Sequence, residues 1–140
     1  MSLFIVDASV AVKWFLPEAH SQEAQRLLNG THVLFVPDLV FSEVGNILWK
    51  RVRVGDITSE EAHNILQTFG TLPLQVSPSW PLTLAALEIA CRLQRTVYDS
   101  LYLALAVREQ GVMVTADEKF YNALQNSPLV PYLCWIGDIP

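Results

Sequence analysis

LFIVDASVAVKWFL, residues 3–16, decides how the rest of the chain is read. Its first four residues are apolar without alternation, the pattern of a strand buried on both faces, and Asp7 follows at once. Ala8 to Leu16 has helical character and stops before Pro17, whose ring disfavours a helical residue ahead of it. The same kind of strand returns as VLFV at Val33 to Val36, closed by Pro37, and as VMVT at Val112 to Thr115. Leu74 to Val76 reads as a shorter strand and Tyr132 to Ile136 as a last one, at a sheet edge.

Helical patterns separate these strands. One runs from Ala19 to Leu28 and ends at Asn29 and Gly30. The next covers Asp38 to Arg53, with Phe41, Val44, Leu48 and Val52 on one stripe, Ile47 beside it and Gly55 at its end. Thr58 and Glu61 form a capping box for a helix reaching Phe69. Ser79, Trp80 and Pro81 read as the N-cap and first turn of a helix to Leu93. Tyr98 to Glu109 is mostly apolar and capped by Gly111, and Asp117 opens a final helix to Gln125. Short apolar strands alternating with helices predict a three-layer α/β/α sandwich with a central, mostly parallel sheet, residues 1–140 forming one domain.

The chain has 140 residues, 51% of them hydrophobic, which predicts a compact globule and excludes a disordered chain. Asp7, Lys13, Asp99 and Arg108 interrupt its longest apolar segments, so no membrane partner is expected. The N-terminal run lacks a basic region and a small-residue cleavage site, and reads as strand and helix. A cytoplasmic protein is expected. Cys91 and Cys134 form no CxxC pair and read as reduced core thiols.

A net charge of −5, from 14 acids and 9 bases, excludes a broad basic footprint for nucleic acid. Two local groups remain, Lys50 with Arg51 and Arg53, and Arg92 with Arg95. Each reads either as a solvated helix end or as a phosphate contact. His20, His32 and His63 lie in polar segments and read as surface residues, which leaves a serine or cysteine nucleophile without an activating base. No glycine-rich loop follows the first strand, so neither a P-loop nor a dinucleotide fingerprint is present.

Four acids stand out. In an open parallel sheet, ligands sit at the carboxyl ends of the strands. Asp7 and Asp117 occupy that place, with Thr115 ending the strand before Asp117; taken alone, either Asp reads first as an N-cap. Glu43 lies among Phe41, Val44 and Ile47, and Asp99 lies within the apolar TVYDSLYLALA, where a charge loses water unless paired or metal-bound. Convergent carboxylates without histidine or thiolate suit a hard cation, Mg²⁺ or Mn²⁺. Two such charges about 4 Å apart repel by roughly 4 kcal/mol at an effective dielectric near 20, a cost that a bound cation removes.

IVDASV, FSEVGNIL, YDSLYLALA and TADEKF, in this order and spacing, resemble the PIN-domain family, in particular its small VapC-like toxins. The resemblance spans essentially the whole chain. It implies a PIN-like fold and places Asp7, Glu43 and Asp99 as the three core metal-binding acids, with Asp117 as the fourth and Thr115 as its accompanying hydroxyl. Ser9 and Asn46 are nearby polar residues that would support water or metal. The activity implied is Mg²⁺- or Mn²⁺-dependent hydrolysis of RNA phosphodiester bonds. The partners implied are an RNA substrate, a protein antitoxin and a second copy in a homodimer. Trp14, Phe15 and Leu16, and separately Trp49, are aromatic or apolar residues that read as core, or as a partner patch if exposed.

Other classes compete. A dehalogenase-like phosphatase needs a second Asp two residues after Asp7, where Ser9 stands, and a phospho-receiver needs paired acids after the first strand. Within the family, an RNA-processing nuclease without a toxin role and a non-catalytic RNA- or protein-binding module remain open.

Overall fold

The computed structural model describes residues 2–140. Strand β1 (Ser2–Val6) is central, with Phe4, Ile5 and Val6 fully covered. It pairs in parallel with β2 (His32–Pro37), whose outer neighbour is β3 (Gln75–Ser77). On its other side β1 pairs in parallel with β4 (Val112–Thr115), which carries β5 (Leu133–Trp135) on the second edge. The order is β3-β2-β1-β4-β5, and every pairing is parallel. The chain therefore winds outward from β1 to β3, then returns to place β4 on the opposite side. Connections after β1 and β4 leave in different directions, and a crevice opens at the carboxyl ends of those two strands.

Helices flank the sheet: α1 (Ala8–Ala11), α2 (Ser21–Gln25), α3 (Leu39–Arg53), α4 (Ser59–Phe69), α5 (Thr83–Leu93), α6 (Val97–Glu109) and α7 (Glu118–Leu124). α3 packs with α1 and α4, while α6 packs on β1, β2 and β4 with α5 beside it. Every residue from Ser100 to Ala106 is buried, which explains why α6 has no polar face. The Thr58–Glu61 capping box of α4 is formed in full, each side chain bonding the other's backbone N–H. Among the described residues no helix is long and apolar enough to cross a membrane.

Several elements differ from their sequence patterns for local reasons. The Ala8 to Leu16 helix is α-helical only to Ala11 and tightens into a 3₁₀ turn over Val12–Trp14, the usual way a helix ends where a proline bars continuation. The helix placed at Ala19 to Leu28 starts at Ser21, because His20 takes a left-handed conformation (φ 67°), and its last turn, Arg26–Leu28, is 3₁₀. Ser79 does not cap its own helix. Its hydroxyl donates to Asp38 Oδ1 (2.5 Å) and accepts from the Leu39 N–H (3.3 Å), so it caps α3 across a gap of forty residues.

The turn from α6 into β4 is made by two residues. Gln110 is left-handed (φ 56°), and the Gly111 N–H bonds Ala106 O at 2.9 Å. Cys91 is exposed, not core, and Trp49 is 53% exposed with the Arg53 guanidinium 4.9 Å from its ring centre. Trp14 and Leu16 are buried as read. His32 is not a surface residue: it opens β2, packs edge-on to Phe4, and both its ring nitrogens are covered.

Candidate active site

A cleft of about 580 Å³ opens at the carboxyl ends of β1 and β4, and Asp7, Glu43, Asp99 and Asp117 all line it. Each is placed by its own local structure. Asp7 follows β1 and caps α1, its Oδ1 accepting from the Val10 N–H and the Ser9 hydroxyl, both at 2.9 Å. Asp117 follows β4 and caps α7, its Oδ1 accepting from the Phe120 N–H at 3.1 Å. Its own N–H donates to the hydroxyl of Thr115, which is 1% exposed (3.1 Å). Asp99 stands in the first turn of α6, its N–H donating to the capping Thr96 hydroxyl at 3.0 Å. Glu43 lies one turn into α3, where backbone N–H groups are already used inside the helix, and its Oε1 accepts from the Tyr102 hydroxyl at 2.5 Å.

The two readings of Asp7 and Asp117, cap and cleft acid, are thus compatible. One carboxylate oxygen caps the helix and the side chain still lines the cleft. Among the described residues, Oδ2 of Asp7, Oδ2 of Asp117 and Oε2 of Glu43 have no hydrogen-bond partner.

Burial and mutual repulsion set the electrostatics. Loss of water pushes the Asp7 carboxyl up to about 6; the bonds from Val10 and Ser9 oppose this, and the charges of Asp99 and Glu43 add to it. Burial also raises Glu43, with Tyr102 opposing and Asp99 adding. Burial raises Asp99, with the Thr96 hydroxyl and the Arg95 charge opposing and Asp117 adding. Asp7, Glu43 and Asp99 therefore each feel at least one other acid of the cleft. Tyr102 is pushed far up by burial and by Glu43, and so stays a protonated donor.

Among the described residues no three His, Cys, Asp or Glu side chains stand close enough together to hold a metal ion as they are placed. The donor set nevertheless fits a hard cation. It consists of carboxylates alone, several with an uncommitted oxygen, in a cleft where their charges repel one another. Mg²⁺ keeps much of its water and touches one or two carboxylates directly, so an open acidic cleft suits it better than a closed cage would.

Ser9 donates to Asp7 as described, and Asn46 lines the same cleft one turn after Glu43. Of the two basic groups, Lys50 reaches the cleft wall. Arg51 is engaged with Glu18 and Asp56, and Arg53 lies over Trp49. Arg92 pairs with Glu88, while Arg95 bonds Lys119 O and lies over Phe120, close enough to Asp99 to lower it. Reading the sequence did not single out Tyr102 or Tyr98, which also line the cleft. Tyr102 had a signal: it stands three residues after Asp99 on the same helix, the spacing that shares a face.

The PIN domain family matches residues 4–124, and this chain belongs to it. Ribonuclease VapC3 of Pyrobaculum aerophilum is 33% identical over 117 residues, which span 82% of this chain and 89% of that relative. The crystal structure of PAE2754 from the same organism superposes with a TM-score of 0.70 at 23% identity, covering 97% of this chain and 85% of that one. That of VapBC2 from Rickettsia felis, bound to a DNA fragment from its promoter, superposes with a TM-score of 0.68 at 17% identity, over 95% of this chain and 98% of that one. Both structures share the fold described above.

Proposed function

We propose that this chain is an endoribonuclease that hydrolyses RNA phosphodiester bonds with Mg²⁺ or Mn²⁺, and that it is the toxin of a toxin–antitoxin pair acting in the cytoplasm. The observation that carries the nuclease reading is the meeting of Asp7, Glu43, Asp99 and Asp117, from four separate elements, in one cleft. The similarity to a relative named as a ribonuclease supports RNA as the substrate.

Asp7, Glu43, Asp99 and Asp117 would hold a divalent ion, directly or through its waters, and the ion would supply charge neutralisation at the phosphate and acidify water near neutral pH. The chain's own groups do the rest. Asp7 and Asp117 are fixed by helix amides, so their second oxygens keep one orientation. Lys50 on the cleft wall offers the positive charge that an otherwise acidic site needs to hold a phosphate. The buried Thr115 hydroxyl holds Asp117 at the strand end. Cleavage of labelled RNA in Mg²⁺, in EDTA and by Asp7→Asn tests this: cleavage in the first alone is expected, and equal cleavage in all three rejects it.

The likeness to a VapBC assembly supports a protein antitoxin as partner. A homodimer is supported by Trp80, Leu84 and Leu87, exposed by 80%, 79% and 49% and spaced to form one stripe along α5 and the turn before it.

A further inference from the structure

We propose that Tyr102 is a positioning residue for Glu43: its hydroxyl holds Oε1 in place and leaves Oε2 as the oxygen the cleft uses. The inference rests on the nuclease reading above and goes beyond it in assigning a role to a phenol.

Three acids of the cleft, Asp7, Glu43 and Asp117, meet one requirement in different ways. A carboxylate that must offer one oxygen in a fixed direction needs its other oxygen anchored. Asp7 and Asp117 stand at helix starts, where free backbone N–H groups are available, and each is anchored by one, from Val10 and Phe120. Glu43 has no such amide within reach, because one turn into α3 the N–H groups are already bonded along the helix. An unanchored Glu side chain would rotate about three bonds and spread its charge through the cleft.

Tyr102 fills that gap. It is 1% exposed, so its ring is fixed by packing, and its hydroxyl donates to Glu43 Oε1 at 2.5 Å across 59 positions of sequence. It stands three residues after Asp99 on α6. The same helix therefore carries one acid and the clamp for another, which fixes the distance between α3's carboxylate and its own. A phenylalanine at 102 would fill the same space without the donor. Outer hydrogen-bond partners of metal-binding side chains commonly change affinity ten- to a hundredfold.

The test is Mn²⁺ affinity by calorimetry on the metal-free protein, for wild type, Tyr102→Phe, Glu43→Gln and the double variant, each checked for wild-type thermal unfolding. Y102F is expected to weaken Mn²⁺ binding about ten- to a hundredfold. RNA cleavage should slow in kcat with KM within about twofold. In the E43Q background the Tyr102 change should alter affinity less than about twofold, because a residue acting through Glu43 has nothing left to position. Affinity undiminished in Y102F, or an equal loss in both backgrounds, overturns the proposal alone. No Mn²⁺ binding by the wild type overturns it together with the nuclease reading. Should Y102F not fold, the wild-type Tyr102 hydroxyl proton is followed by NMR instead. A slowly exchanging resonance that persists when Mg²⁺ is added is expected, and its absence or disappearance overturns the proposal.

Discussion

Asp7 Oδ1 accepts the Val10 N–H at 2.9 Å, so one carboxylate both caps α1 and lines the acidic cleft. The two roles separate by mutation. Asn caps about as well as Asp, so Asp7→Asn is expected to keep the fold while lowering RNA cleavage on the order of a hundredfold or more. Asp7→Ala should lose cleavage equally and be about 1 kcal/mol less stable than Asp7→Asn through the missing cap, since both variants remove the buried charge. Cleavage assays and urea unfolding on the two variants check this, and D7N retaining full activity would remove Asp7 from the site.

The raised Asp7 carboxyl fixes the sign of a pH effect. Its folded value is about 6 against an ordinary 3.8, so the folded metal-free protein holds this proton more tightly than the unfolded chain does. Between those values the unfolded state binds fewer protons, and stability falls as pH rises. The metal-free protein should therefore lose about 2–3 kcal/mol from this group between pH 4 and pH 7. Mn²⁺ reverses the order by displacing the proton, so its stabilisation should be larger at pH 7.5 than at pH 5.5. Thermal melts with EDTA and with Mn²⁺ at both pH values measure it; a metal effect equal at the two would contradict the assignment.

Asp117 gives a second cap-and-cleft pair. Asp117→Asn should leave stability within about 0.5 kcal/mol while reducing cleavage, and Asp117→Ala should cost about 1 kcal/mol through loss of the Phe120 N–H bond. Denaturant midpoints and cleavage rates report the two effects separately.

Gly111 is required by β1, not by its own turn. A Cβ there would lie 2.3 Å from Leu3 Cδ2 and 2.8 Å from Leu3 O, and the second atom is backbone that cannot swing away. Gly111→Ala is expected to destabilise the protein by about 1–3 kcal/mol. A chemical melt within error of the wild type would show that the strand yields.

The apolar stripe of Trp80, Leu84 and Leu87 bears on the proposed homodimer. Trp80→Arg with Leu84→Glu should shift the mass from dimer to monomer in light scattering without changing the melting temperature measured on dilute protein. A wild type that is monomeric at high concentration would discard the homodimer.

The strands, their parallel pairing and the placing of Asp7 and Asp117 just after strands β1 and β4 were legible because they are written in near neighbours. VMVT gives β4 to the residue, and the capping box gives the start of α4. The 3₁₀ endings, the left-handed His20 and the Ser79–Asp38 exchange were not legible. Each depends on which of two nearly equal local arrangements the surrounding packing rewards. Trp49 and Cys91 were read as core from their types and apolar neighbours, yet each falls on an exposed helical position.

Residue order alone determined the layers of this protein and the fact that acids end strands β1 and β4, since hydrophobic period and chain direction are local properties. Only the tertiary structure decided that Glu43 meets Tyr102 across 59 positions, and that Arg51 turns to Glu18 while Lys50 reaches the cleft. The physical reason is that a side chain's partner is set by the packing of distant segments, where an angstrom of approach selects one hydrogen bond over another.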